Sequence, residues 1–269
     1  MHQNYIKDFT LDKYLELCLS LQKNGYKFFD FGFFYKNYNE LKNEKCVVMR
    51  HDVDRLPYNA FKMAELESSL SIKSTYYFRH MPFVFNKTFI KNISLLGHEI
   101  GYHYETLSKT NGDYLKAYNL FKNELKKFRE LTKIETICMH GSPLSKHDNK
   151  NLWKQFDFKE DGITAEVYLS MDYSNILYFT DTSRSWGNPK SNLRDRILAN
   201  KFDLSTLKTT SSLIDFINKN KDKEEFKNII IQTHPERWSY SQLSHALSFS
   251  LDAASSLLKN FLRILRNIK

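Results

Sequence analysis

Apolar runs in this chain keep ending in charged or titratable residues. Val47-Val48-Met49 runs into Arg50-His51-Asp52-Val53-Asp54, and Ile100-Gly101 into Tyr102-His103-Tyr104-Glu105. Cys138-Met139 runs into His140, and Ile229-Ile230-Ile231 passes through Gln232-Thr233 to His234. Each reads as a strand followed by a polar residue. Between them, Tyr58 to Leu70 and Gly112 to Leu131 carry apolar residues at three- and four-residue spacing with lysines on the opposite face, the pattern of an amphipathic helix. Strands alternating with helices predict parallel βαβ units. Parallel strands in a barrel bring their C-terminal ends to one face, so groups far apart in sequence converge there on one site. Strand-like runs fall at 46–49, 74–78, 99–101, 135–139, 163–168, 176–179 and 228–232, a set that suits an incomplete (β/α) barrel.

The run at Val47 carries the sharpest chemistry. Asp52 and Asp54 are one residue apart and share a face if the strand continues through them. Two carboxylates so placed repel unless a metal ion or a shared proton offsets the repulsion, so one can bind metal while the other handles a proton. The plainer reading, in which the pair opens a loop and caps the next helix, is outweighed once His103, His140 and His234 join it at the other strand ends.

Arg50-His51-Asp52-Val53-Asp54, Gly97-His98-Glu99-Ile100-Gly101-Tyr102-His103 and Thr233-His234-Pro235 together resemble the motifs of the polysaccharide deacetylases, the NodB-homology family, in type and in order. The resemblance spans about Val47 to Trp238, and its second motif is the most specific. Together with His140-Gly141-Ser142-Pro143 and His234-Pro235-Glu236-Arg237-Trp238 it looks like a divergent, WbmS-like branch associated with bacterial surface polysaccharides. It implies a deformed, incomplete (β/α) barrel of about seven parallel strands. It also implies Asp52 as catalytic base, His234 as acid, and Asp54 and His103 as ligands of a divalent metal. Zinc is the default, with cobalt, nickel or iron equally suited to the ligands. One departure stands out: where the family places a second metal histidine, four residues after the first, this chain has Leu107. His140 is the preferred replacement ligand and Glu105 its competitor. The implied activity is removal of an N-acyl group, chiefly N-acetyl, from an amino sugar, a sugar nucleotide or a lipid-linked glycan. Two other readings stay open: a barrel that binds without turnover, and a hydrolase of another C–N bond.

Asp181 and Arg184, which follow the run at 175–179, are candidates to orient substrate or Asp52, or else form an ion pair on a loop. Trp238 is a candidate to stack on a sugar ring.

With 269 residues and no Gly/Pro/Ser-rich linker or internal repeat, the chain reads as one domain. An extension over 1–45 precedes the first motif. In it, Leu11 to Asn24 is a helix capped by Thr10, and the aromatic stretch Phe28 to Tyr38 covers the barrel's bottom or an edge. The segment 242–269 reads as a basic amphipathic helix that packs on the barrel, pairs with another subunit or lies on an inner membrane face. Lys+Arg 40 against Asp+Glu 31 gives +9, but the lysines are scattered and no nucleic-acid motif accompanies them, so nucleic acid is not an expected partner. The polar start, the lack of a long apolar run and three cysteines without CxxC spacing lead to the expectation of a cytoplasmic protein with reduced thiols.

Overall fold

The computed structural model describes residues 8–187 and 202–253. Eight strands, β1 (Lys27–Phe29), β2 (Cys46–Val53), β3 (Thr75–Phe78), β4 (Glu99–Tyr104), β5 (Thr136–Met139), β6 (Ala165–Glu166), β7 (Leu177–Thr180) and β8 (Asn228–Thr233), pair in parallel throughout. The order is β6-β5-β4-β3-β2-β8-β7, so among the described residues β6 and β7 are the edges and the barrel is incomplete. Helices α1 (Leu11–Lys23), α2 (Phe31–Lys36), α3 (Tyr38–Leu41), α4 (Pro57–Ser69), α5 (Lys87–Leu95), α6 (Thr106–Lys109), α7 (Tyr114–Arg129) and α8 (Thr210–Asn220) complete the α/β alternation.

Period-two alternation along β2 sorts its residues between two environments. Val47 and Met49 join an outer cluster with Leu17 and Leu21 of α1 and Leu213 and Ile217 of α8. Cys46 and Val48 join an inner cluster with Phe31, Phe34, Tyr77, Cys138, Tyr178 and Ile230. Arg50 and Asp52 continue the inner row towards the C-terminal end of the barrel. Gly101 belongs to the same interior: a Cβ there would lie 2.2 Å from the Tyr77 ring, so the missing side chain is what lets Tyr77 cross the barrel.

The aromatic stretch from Phe28 does more than cover an edge. Its first residues form β1, which pairs with Cys46–Val48, the half of β2 that β3 leaves unpaired. Phe31 and Phe34 of α2 are fully buried in the inner cluster. The strand expected over 163–168 shortens to Ala165–Glu166, because the Glu166 carboxylate accepts the backbone N–H groups of Tyr168 and Leu169 and turns the chain. Of the C-terminal segment, 242–253 is helical, and 254–269 lies outside the described residues. Among the described residues no helix is long and apolar enough to cross a membrane. Cys18, Cys46 and Cys138 are buried free thiols.

Candidate active site

The C-terminal strand ends bring Asp52, Asp54, His103, His140 and His234 to one end of the sheet. Asp54 is the hub. Its Oδ1 lies 3.5 Å from His103 Nε2, its Oδ2 lies 3.6 Å from His140 Nε2, and the two imidazole centroids are 5.2 Å apart. Each histidine has its other nitrogen engaged: His103 Nδ1 is 2.9 Å from the Cys138 carbonyl, and His140 Nδ1 is 3.0 Å from Glu105 Oε2. Those acceptors take the Nδ1 protons and turn the Nε2 lone pair of His103 and the Nε2 of His140 towards the Asp54 carboxylate. A lone pair aimed at an anion is unfavourable without a cation between them. Asp54 Oδ1 is buried and has no hydrogen-bond partner. Carboxylate, two Nε2 atoms and acceptors behind both rings make the donor set of a divalent metal site, and the residues fit one.

Glu105, the competitor for third ligand, stands behind His140. Arg79 clamps its carboxylate with Nη2 at 2.7 Å from Oε2 and Nε at 3.1 Å from Oε1. Leu107, at the place of the expected histidine, is buried in a third hydrophobic cluster with Tyr104, Ala117, Phe121 and Leu152. A second donor set overlaps the first: atoms of Asp52, His103 and Cys138 all lie within 4.8 Å of one another. We favour the set on Asp54, because Asp52 is already neutralised and Cys138 is fully buried, whereas Asp54 and His140 keep side-chain exposures of 19% and 14%.

Arg50 neutralises Asp52. Its fully buried guanidinium donates to Oδ2 at 2.6 Å and reaches Oδ1 at 3.3 Å, while Gln232 Nε2 donates to the same Oδ2 at 2.6 Å. The hydroxyls of Tyr178 and Tyr168 lie 3.2 and 3.1 Å from Arg50 and hold it in place. Burial pushes the Asp52 carboxyl up, but the charge of Arg50 wins and leaves it below the usual range. Burial likewise opposes ionisation of Asp54, and His140 with Arg79 overcomes it. For His103 burial prevails over Asp52 and Asp54 and brings the imidazole down to about 4. It is therefore neutral at pH 7, as a ligand must be, and Arg50 is the cation beside Asp52. His140 goes the other way: burial opposes the charge, but Asp54 and Glu105 lift it to about 9, so its Nε2 carries a proton towards Asp54 that a metal ion would displace on binding.

His234 is set apart on a second carboxylate. Its Nδ1 is 2.6 Å from Asp181 Oδ1, its backbone N–H donates to Asp181 Oδ2, and Arg237 Nη1 donates to Asp181 Oδ1 at 2.7 Å. Burial and Arg237 depress the imidazole, yet Asp181 more than compensates, so its pKa is raised. Asp181 is fully buried and pairs with Arg237, so it is neither the expected loop ion pair with Arg184 nor a surface for substrate. Trp238 corrects the stacking expectation: it is 0% exposed, packs on Phe9, Tyr14 and Trp186, and donates its indole N–H to Asp181. Arg184 is not near enough to orient Asp52; it pairs with Asp252 at 2.9 Å. Glu236, which sequence reasoning passed over, is buried with Oε2 unbonded, and burial with the nearby Asp54 charge pushes it up to about 7.

No protein-family model and no curated protein matches the sequence. Among solved structures, the chain is similar to a CE4 esterase from Streptococcus mutans at 16% identity, covering 87% of this chain and 88% of that one with TM-score 0.44. A CE4 family pseudoenzyme from Bacillus anthracis matches at 16% identity over 75% and 71%, TM-score 0.42. The peptidoglycan deacetylase PdaC from Bacillus subtilis matches at 12% identity over 81% and 98%, TM-score 0.38.

Proposed function

We propose that this protein is a metal-dependent amide hydrolase of the polysaccharide deacetylase type, acting on an N-acylated amino sugar in surface-polysaccharide synthesis. The observation that carries the proposal is the buried, unbonded Asp54 Oδ1 with two imidazole Nε2 atoms turned towards its carboxylate. A divalent ion held by Asp54, His103 and His140, zinc in the first instance, supplies Lewis-acid polarisation of the acyl carbonyl and a water of lowered pKa.

Around it the chain's own groups divide the proton work. Asp52, kept ionised and oriented by Arg50 and Gln232, accepts a proton from the attacking water. His234, protonated through Asp181 at Nδ1, leaves Nε2 to deliver a proton to the departing amine. Acid and base are thus set by two buried carboxylates in opposite roles, one facing the reaction and one behind the histidine.

Metal content of purified wild type and variants, read by mass spectrometry beside hydrolysis of N-acetylated amino sugars, tests this. Wild type should hold about one metal per chain. Asp54→Ala and His103→Ala should lose it, His140→Ala should weaken it, and Cys138→Ser should keep it. Asp52→Asn should keep the metal and lose about 10²–10⁴-fold in kcat. A folded wild type that stays metal-free when supplied with zinc, cobalt or iron overturns the proposal and leaves a binding role.

A further inference from the structure

The helix over 242–253 sits on the barrel the wrong way round for an ordinary amphipathic helix. Ser244 and Ser248 are buried, while Leu243, Leu247 and Phe249 are 81%, 51% and 58% exposed. Asp252 lies one turn beyond Ser248 on the same polar face and anchors it. Its Oδ1 accepts from Arg55 Nη2 at 2.6 Å and its Oδ2 from Arg184 Nε at 2.9 Å. Arg184 Nη2 also donates to Ser248 Oγ at 2.6 Å, and the Ser248 hydroxyl donates to the Glu236 carbonyl.

The two arginines come from separate strand ends. Arg55 directly follows Asp54 after β2, and Arg184 follows β7 and donates to the Arg237 carbonyl at 3.0 Å. They therefore flank the metal ligands on one side and the His234–Asp181 pair on the other.

We infer that Arg55 and Arg184 form an anion subsite at the rim of the active site, which takes the phosphate or diphosphate of a sugar-linked substrate, and that Asp252 is its internal occupant. Naming the ligand a substrate group rests on the hydrolase reading above; the subsite itself does not. Forked guanidinium donors suit a tetrahedral oxyanion, whose additional oxygens can serve both arginines where the Asp252 carboxylate gives one oxygen to each; Arg55 also lies 3.6 Å from Glu236 Oε1. The docked face is chiefly polar, with Leu243, Leu247 and Phe249 largely exposed and Leu251 partly buried, so exchange of Asp252 for a ligand forfeits mainly polar contacts that the ligand itself replaces.

Titration calorimetry of the full-length protein with inorganic pyrophosphate tests the subsite. Removing an internal competitor should tighten binding, so Asp252→Asn should bind pyrophosphate about tenfold or more tightly than wild type. Asp203→Asn makes the same charge change at an exposed position and should not. Adding Arg55→Gln or Arg184→Gln to Asp252→Asn should abolish the gain. Should Asp252→Asn fail to fold, wild type suffices: saturating pyrophosphate should speed hydrogen exchange across 242–253. Uridine diphosphate binding more tightly than pyrophosphate, or sedimentation with phosphatidic-acid vesicles that is lost in Arg55→Gln, supports the subsite and separates a nucleotide-linked from a lipid-linked source. Equal affinities for wild type and Asp252→Asn, a gain that survives the arginine changes, or unchanged exchange at 242–253 overturns it, whatever the metal and hydrolysis assays show.

Discussion

Asp181 shows how much one buried carboxylate can organise. It accepts from His234 at both the ring and the backbone, from Arg237 and from the Trp238 indole. Burial alone would push it up, but Arg237 and His234 hold it down to about 2, so it is an anion at any working pH. Asp181→Asn keeps the volume and removes the charge that raises His234. The acid form of His234 is then lost at lower pH, so the alkaline limb of kcat/KM should move down, with kcat reduced about 10²-fold. Metal content should stay that of wild type, which separates this effect from damage to the metal ligands. Asp52, Asp54, His103, His140 and His234 were legible in the sequence because each ends an apolar run. The groups that tune them were not, because their partners are remote: Arg50 meets Gln232 and Asp181 meets His234 only through the pairing of β2 and β7 with β8. Trp238 was misread because an aromatic beside a strand end looks the same in sequence whether it faces solvent or Phe9 and Tyr14.

Among the elements, register decides which groups can meet. Arg50 pairs with Gln232 across β2 and β8, and His103 with Cys138 across β4 and β5, which sets the donors of one strand beside the acceptors of the next. The alternation of β2, β4 and β8 was readable as soon as their apolar runs were recognised, whereas β1 was hidden in an aromatic stretch whose role depends on a gap beside β2. Gly101 ties packing to the site, being two residues before His103 on the inner face of β4. Gly101→Ala sets a methyl 2.2 Å from the Tyr77 ring and 3.1 Å from the Thr136 carbonyl, so Tyr77 must leave its place under Arg50. Overpacking of this kind costs about 1–3 kcal/mol. Urea unfolding should show that loss, and an unchanged midpoint would mean that Tyr77 yields without strain.

Across the whole molecule, carboxylates enclosed outside the site, Glu67 fully and Glu99 partly buried, have opposite pH signatures. Glu67 is held by Tyr14, Tyr76, Ser74 and His51; burial opposes its charge, but His51, with His98 and the Ser74 hydroxyl, brings it from the ordinary 4.5 to about 2. Glu99, under the barrel among Thr75, Thr136 and the Gly32 N–H, goes the other way, because burial and the neighbouring Asp30 charge lift it from 4.5 to about 7. The signs follow from linkage. Glu67 stays ionised in the folded chain where the unfolded chain has bound a proton, so its contribution is present above pH 4.5 and lost as pH falls towards 2. Glu99 keeps a proton in the folded chain where the unfolded chain has released it, so its protonated form favours folding below 4.5 and the advantage is lost as pH rises towards 7. Differences between wild type and single variants isolate each group from the titrating histidines. The melting temperature of Glu99→Gln minus that of wild type should therefore rise from pH 4.5 to 7 and then level, since only wild type must ionise a partly buried acid there. For Glu67→Gln the same difference should be most negative above pH 4.5 and shrink on acidification. Parallel curves for wild type and both variants would show that neither carboxylate titrates differently in the folded and unfolded chains. With opposite slopes, the polar layer that joins β3, β5 and α2 around Glu99 and the network that ties β2 to α4 through Glu67 would stand as separate electrostatic supports for one sheet.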